Sequence, residues 1–233
     1  MKKLILLLTA GLIFTACSSD SNTPAGPTLS DTPTAKIQFN DTNFGIYKGI
    51  IVGPTGLITL NIKNDGFLNA TVVLDGVSYL FTSDGAVTEG QDITDLVFTN
   101  GDKSFAVSIS ADGTDISETA INFPGYPSAD ILMTKEYSDA QVTCYQGTYS
   151  GDLTGVFNFL AIGNYVYGIS LGSDGLNNYF IEGTRTGNSL TGTYEAPMGA
   201  FSGSFTGTTA SGNWQDTTPS SSDSGTWSSQ RTL

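Results

Sequence analysis

The chain has 233 residues, with 22 Asp/Glu against 9 Lys/Arg, a formal charge of −13 and no histidine. Such an acidic chain repels phosphate backbones, which excludes nucleic acid as a partner. Without histidine there is no Ser-His-Asp triad, no Cys-His pair and no His-ligated zinc or iron, and two cysteines, Cys17 and Cys144, are too few for a four-cysteine metal site.

The chain starts with a short positive stretch, Met1-Lys2-Lys3, and an apolar run, Leu4–Phe14 (LILLLTAGLIF). A bilayer span needs about 20 apolar residues, so this run has the length and flanks of a secretory signal. Phe14-Thr15-Ala16-Cys17 follows. It resembles the lipobox of bacterial lipoprotein signals, roughly Leu, small, Ala/Gly, Cys; Ala16 and Cys17 match, and Phe14 departs from the usual Leu. The resemblance covers the first 17 residues. It implies that residues 1–16 are removed, that the Cys17 thiol carries a diacylglycerol, and that the new α-amino group is acylated. The membrane would then be a partner through the lipid anchor, because two or more acyl chains hold stably where one does not. Ser18 after the cysteine resembles an outer-membrane address, and the Lys-Lys start with the CSSDS junction resembles outer-membrane lipoproteins of Bacteroidota. On the residues alone, the alternatives are a Cys17–Cys144 bridge or a plain secreted protein. Loss of Lys2 and Lys3 leaves 7 basic against 22 acidic residues, or −15.

Residues 17–36 read as the lipidated cysteine and a flexible tether: Ser18–Ala35 is Ser/Thr/Pro/Asp-rich with one large aliphatic, Leu29. From Ile37 onward the apolar period is two. Ile58, Leu60 and Ile62 alternate with Thr59, Asn61 and Lys63, and Phe105, Val107 and Ile109 with Ala106, Ser108 and Ser110, while Leu68, Ala70, Val72 and Leu74 mark every second position of their run. Asp65-Gly66, Asp75-Gly76, Asp84-Gly85, Asn100-Gly101, Asp112-Gly113 and Asp174-Gly175 supply turn chemistry between the runs. The expected fold is all-β: an antiparallel hairpin meander forming a sandwich or small barrel, with two related β units.

Gly45-Ile46-Tyr47-Lys48-Gly49 is answered by Gly147-Thr148-Tyr149-Ser150-Gly151, and Phe123-Pro124-Gly125-Tyr126-Pro127 breaks any strand between them. The expected division is therefore unit 1 over 37–127, a connector over 128–144, with a short helix competing at Ser128–Tyr137, and unit 2 over 145–233. In unit 2, Gly-x-aromatic recurs at Gly147-x-Tyr149, Gly192-x-Tyr194, Gly203-x-Phe205, Gly212-x-Trp214 and Gly225-x-Trp227. Two-residue spacing puts each glycine on the face of its ring, so rings cover bare backbone on neighbouring strands and the sheet bends. Glycine-rich hairpins of this kind are similar in architecture to the barrels of lipid-anchored transferrin-binding surface proteins.

Trp214 and Trp227 read as core, with a stacking platform for sugar rings as the competing use. Tyr165, Tyr167, Tyr179 and Phe180 form the densest aromatic stretch, and Tyr179 and Phe180 must face opposite sides of a sheet. Glu182 and Glu195 are the only carboxylates that invite a glycosidase pair, which needs a set separation; they read as solvated. Glu89, Asp92 and Asp95 compete as Ca²⁺ ligands through loop oxygens but lack EF-hand spacing, so no metal site is assigned, and Cys144 reads as a buried thiol. Asp216-Thr217-Thr218 resembles an O-glycosylation site of Bacteroidota. No catalytic, metal or cofactor residues are assigned; Cys17 is the one assigned site, for lipidation. The function expected is a non-enzymatic, outer-membrane, lipid-anchored binding or adhesion module with a glycan or envelope protein as partner. The alternatives are a structural subunit of an envelope assembly and a carboxylate-dependent glycan hydrolase.

Overall fold

The computed structural model describes residues 29–175, 178–195, 199–218 and 222–233, so Cys17, with the signal segment and most of the tether, lies outside the described residues. The alternating runs form strands throughout. After a short 3-10 turn at Ile37–Phe39 come β1 (Gly45–Val52), β2 (Gly56–Ile62), β3 (Leu68–Leu74), β4 (Val77–Thr82), β5 (Ile93–Asn100), β6 (Lys103–Ile109), β7 (Ile116–Asn122) and β8 (Asp130–Glu136). These pair antiparallel in the order β7-β6-β5-β4-β3-β2-β1-β8. Next come β9 (Val142–Gly151), β10 (Gly155–Ile162), β11 (Tyr165–Gly172), β12 (Asn178–Thr186), β13 (Ser189–Tyr194), β14 (Gly199–Thr206), β15 (Thr209–Asp216) and β16 (Ser224–Arg231). This second set closes into a barrel, with β16 bonded back to β9.

The expected all-β class with two related units holds. The two answering Gly-x-Tyr-x-Gly segments sit in the first strand of each unit, and Tyr47 and Tyr149 both pack on their unit's core. Asp75 and Gly76 take φ of 48° and 80°, the consecutive positive pair of a tight hairpin turn. Asp84-Gly85 differs: it lies in the long loop 83–92, and β4 meets β5 only at Thr82↔Thr99.

The expected unit boundary is corrected. The Pro-Gly-Tyr-Pro stretch breaks the chain between β7 and β8, inside the first unit. Residues 128–144 are no connector and hold no helix: Asp130–Glu136 is strand β8, bonded along β1 from Val52↔Asp130 to Ile46↔Glu136, and β9 starts at Val142. The reason is that Ile131 and Met133 alternate into the first core when Asp130–Glu136 adds to the edge of β1. The two units therefore part at residues 137–141. In the second unit the last two strands are paired, whereas β7 and β8 of the first are not, so among the described residues the first sheet keeps two unpaired edges.

All eight residues of β1, GIYKGIIV, are buried. Tyr47 and Ile51 point into the first core, while Ile50 and Val52 point out of it. That outward face meets the outer wall of the barrel. Ile50 and Leu57 pack with Val142, Cys144, Leu160 and Leu233; Val52 packs with Ile169 and Leu171. Lys48 shares this outward face, and its ammonium is paired at 2.5 Å with the fully buried Glu136.

Glu136 also accepts from Thr34 N at 2.7 Å, Thr34 Oγ1 at 2.8 Å and Val142 N at 3.2 Å. It thus ties together β1, β8, β9 and the segment before Ile37. The expected tether is corrected here as well. Residues 29–36 are docked on the folded units, with Arg231 on Ser30 O and on Asp31, Gln141 on Ser30 O, and Lys36 N donating to Asn64.

Candidate functional site

In the barrel, one face of every strand points inward, and rings fill the space that glycines leave. A Cβ on Gly203 would lie 2.5 Å from Trp227, and one on Gly225 would lie 2.6 Å from Trp214 Nε1. Trp227 is 2% exposed, stacks on Phe157 with ring centroids 5.0 Å apart, and donates to Ser202 O and Asn213 O at 3.2 and 3.3 Å. It is a core residue. Tyr145, Phe159, Phe201 and Phe205 complete the plug across the middle of the barrel.

The same Gly-x-Trp motif one hairpin earlier gives a different result, because Trp214 sits nearer the end of its strand. There the barrel opens into a small cup lined by Tyr149, Tyr179, Tyr194 and Trp214, with Asp216 and Asp223 at its lip. Its free volume is about 30 Å³, above the roughly 10–15 Å³ that a single water needs. Leu153, Phe157 and Ser170 complete the lining. Tyr149 and Trp214 meet edge to face at 5.7 Å, as do Tyr179 and Tyr194 at 6.5 Å. Trp214 Nε1 donates to Ser150 O at 3.1 Å, which fixes the indole. Burial, and then the carboxylates of Asp216 and Asp223 among its neighbours, pushes the Tyr194 hydroxyl up to about 12. Burial also raises Tyr149, against a hydrogen bond with Ser170.

The charges of the second unit are segregated by end. In a meander, alternate loops share an end. Asp152 follows β9, Asp174 follows β11, Glu195 follows β13, Asp216 ends β15 and Asp223 precedes β16, so all five lie at the cup end. The two basic residues of 145–233, Arg185 and Arg231, lie near the opposite ends of β12 and β16. There the Arg185 guanidinium sits 4.4 Å over the Phe205 ring.

The other residues singled out in the sequence fall elsewhere. Tyr179 turns into the cup, while its neighbour Phe180 faces outward beside Asp130 and Glu118. Burial, and then Asp130, raises the Glu118 carboxyl. Tyr165 and Tyr167 stack at 6.3 Å on the barrel's outer wall, where Tyr165 is 61% exposed. Glu182 is exposed on that outer wall and Glu195 is exposed in the loop after β13, so the two line no common pocket among the described residues. The loop carrying Glu89 and Asp92 is organised by the buried Asn43, whose amide donates to Thr88 O and Gln91 O and accepts from Gly90 N. Asp92 accepts from Ala111 N. Cys144 is fully buried in the wall between the units, with its thiol 3.6 Å from Gly49 O, and burial pushes it up to about 12.

Sequence reasoning passed over Tyr149, Tyr194, Asp216 and Asp223 as a group. Each was visible only as a repeat member or an isolated acid; their placement in alternate loops and at strand ends was the available signal. No protein-family model matches the chain, and no curated protein matches it.

Proposed function

We propose that the chain is a lipid-anchored, non-enzymatic ligand-binding module of the bacterial outer membrane, with its ligand site in the aromatic cup at the barrel mouth. The observation that carries the binding part is that cup. Barrel mouths are a recurrent place for ligand sites, concave and largely apolar with a few polar groups at the edge, and this one joins five aromatic rings to two carboxylates. The lipidation of Cys17, the outer-membrane address and the periplasmic or cell-surface placement rest on the lipobox resemblance. Native material extracted in detergent tests the anchor. Mass spectrometry is expected to find a mature chain that starts at an acylated Cys17, and Cys17→Ser is expected to leave the membrane fraction. An unmodified residue 17 in native material refutes the anchor.

A second reading, a subunit of an envelope assembly, draws support from the unpaired edges of β7 and β8. Free edges are templates for strand addition. In-cell cross-linking from a cysteine placed at Thr119 on β7 tests it: a discrete adduct with another envelope protein supports assembly, and its absence leaves the binding module as the reading.

A further inference from the structure

We infer that the cup takes the tip of an alkylammonium, a primary amine on an extended aliphatic stem. The inference deepens the proposed function and rests on the cup's being the ligand site. Three features of the cup point the same way.

The first is charge. Every acid of the second unit except Glu182 lies at the cup end, and both of its arginines lie at the far end. The barrel therefore presents a concentrated negative field at the cup, and a low-dielectric wall focuses such a field on a cation.

The second is the lining. Tyr149, Tyr179, Tyr194 and Trp214 surround the space. Aromatic faces attract ammonium groups through their quadrupole, and a desolvated site strengthens that attraction. Hard metal ions are poorly served there, because Ca²⁺ asks for six to eight oxygen ligands, and a wall of ring carbon offers few.

The third is size. The free volume of about 30 Å³ is small and suits the narrow end of a ligand. A –CH₂–NH₃⁺ tip enters with its stem running out past Leu153.

The test is a titration of the mature chain with three probes of one shape and different charge: n-butylammonium, n-butanol and butyrate. The readout is the indole N–H resonance of Trp214, assigned by its loss in Trp214→Phe. n-Butylammonium is expected to move that resonance and to bind at least about tenfold tighter than n-butanol, from cation–π and carboxylate attraction together. Butyrate is expected to leave it still. Raising the salt concentration is expected to weaken butylammonium and to leave butanol unchanged. Asp216→Asn with Asp223→Asn is expected to bring the two within about threefold of each other; the salt series carries the same information if that variant fails to fold. Equal or tighter binding of n-butanol overturns the ammonium assignment and leaves the cup as a site for an uncharged ligand. If no probe moves Trp214, the cup is not a ligand site, and the proposed function falls with the inference.

Discussion

Glu136 and Lys48 offer the sharpest stability test. Both side chains are almost completely excluded from water, at 4% exposure for Lys48 and 0% for Glu136, and they pair at 2.5 Å. Removing one member of a buried pair strands the other, which costs about 3–5 kcal/mol. Glu136→Leu also leaves the buried Val142 N–H without its acceptor. It is expected to cost about 4 kcal/mol or slightly more, since a lost buried acceptor adds about 1–3 kcal/mol at most and relaxation returns part of that. Lys48→Met leaves the carboxylate with its Thr34 and Val142 donors and is expected to cost about 3 kcal/mol. The double variant removes both charges and leaves only neutral donors unmet. It is expected to lose about 4 kcal/mol rather than about 7, a coupling of about 3 kcal/mol, at the upper end for contacting residues. Urea unfolding of all four proteins closes the cycle. Both tryptophans belong to the second unit whereas far-UV dichroism reports both units, so the two signals are expected to coincide in the natural chain. They are expected to separate in Glu136→Leu, because Glu136 bonds strands of both units. A coupling below about 0.5 kcal/mol, the level of independent sites, refutes the account of Glu136 as the joint's central acceptor.

Three further outcomes are expected. Trp227→Ala opens a hole at the centre of the barrel plug and costs about 3–5 kcal/mol by chemical denaturation, whereas Tyr165→Ser on the exposed outer wall stays within about 0.5 kcal/mol; reversal of that order refutes the inward and outward assignment. Cys144, held up to about 12 by burial, is expected to resist thiol reagents in the folded protein at pH 8 and to react at the rate of unfolding. Cys144 and Tyr194 are raised from 9 and 10 to about 12, so between those values the unfolded chain loses protons that the folded chain keeps. Their stabilisation is complete below pH 9 and falls as pH climbs towards 12. Urea midpoints at pH 8, 9.5 and 11 check this; a flat profile, or one whose slope Cys144→Ala leaves unchanged, refutes it.

Period-two patterning was sufficient for the strands, and Asp75-Gly76 for a hairpin turn, because both are local properties of the chain. The unit boundary was not local. Phe123-Pro124-Gly125-Tyr126-Pro127 looks like a divider, since proline ends strands wherever it occurs. Only the pairing of β8 with the distant β1 reveals it as a turn within one unit. The GIYKGIIV run has apolar residues on both faces, the mark of a strand covered on both sides, but the run does not say which partner covers its second face. In the cup, the motif announced that each ring faces inward. Gly212-x-Trp214 and Gly225-x-Trp227 are the same three-residue signal, yet one ring lines the mouth and the other fills the plug. The difference is position along the barrel axis, which depends on strand stagger and not on the motif.

The double burial of β1 bears on how the molecule matures. A ribosome delivers Ile50, Val52 and Leu57 roughly a hundred residues before the strands that cover them, and the barrel cannot shut until Ser224–Arg231 reaches β9. During that interval the first half carries a greasy outer wall with nothing against it. Truncated products that end before β9 inherit this wall permanently. They are natural clients for a holding chaperone, and poor candidates for expression as isolated domains.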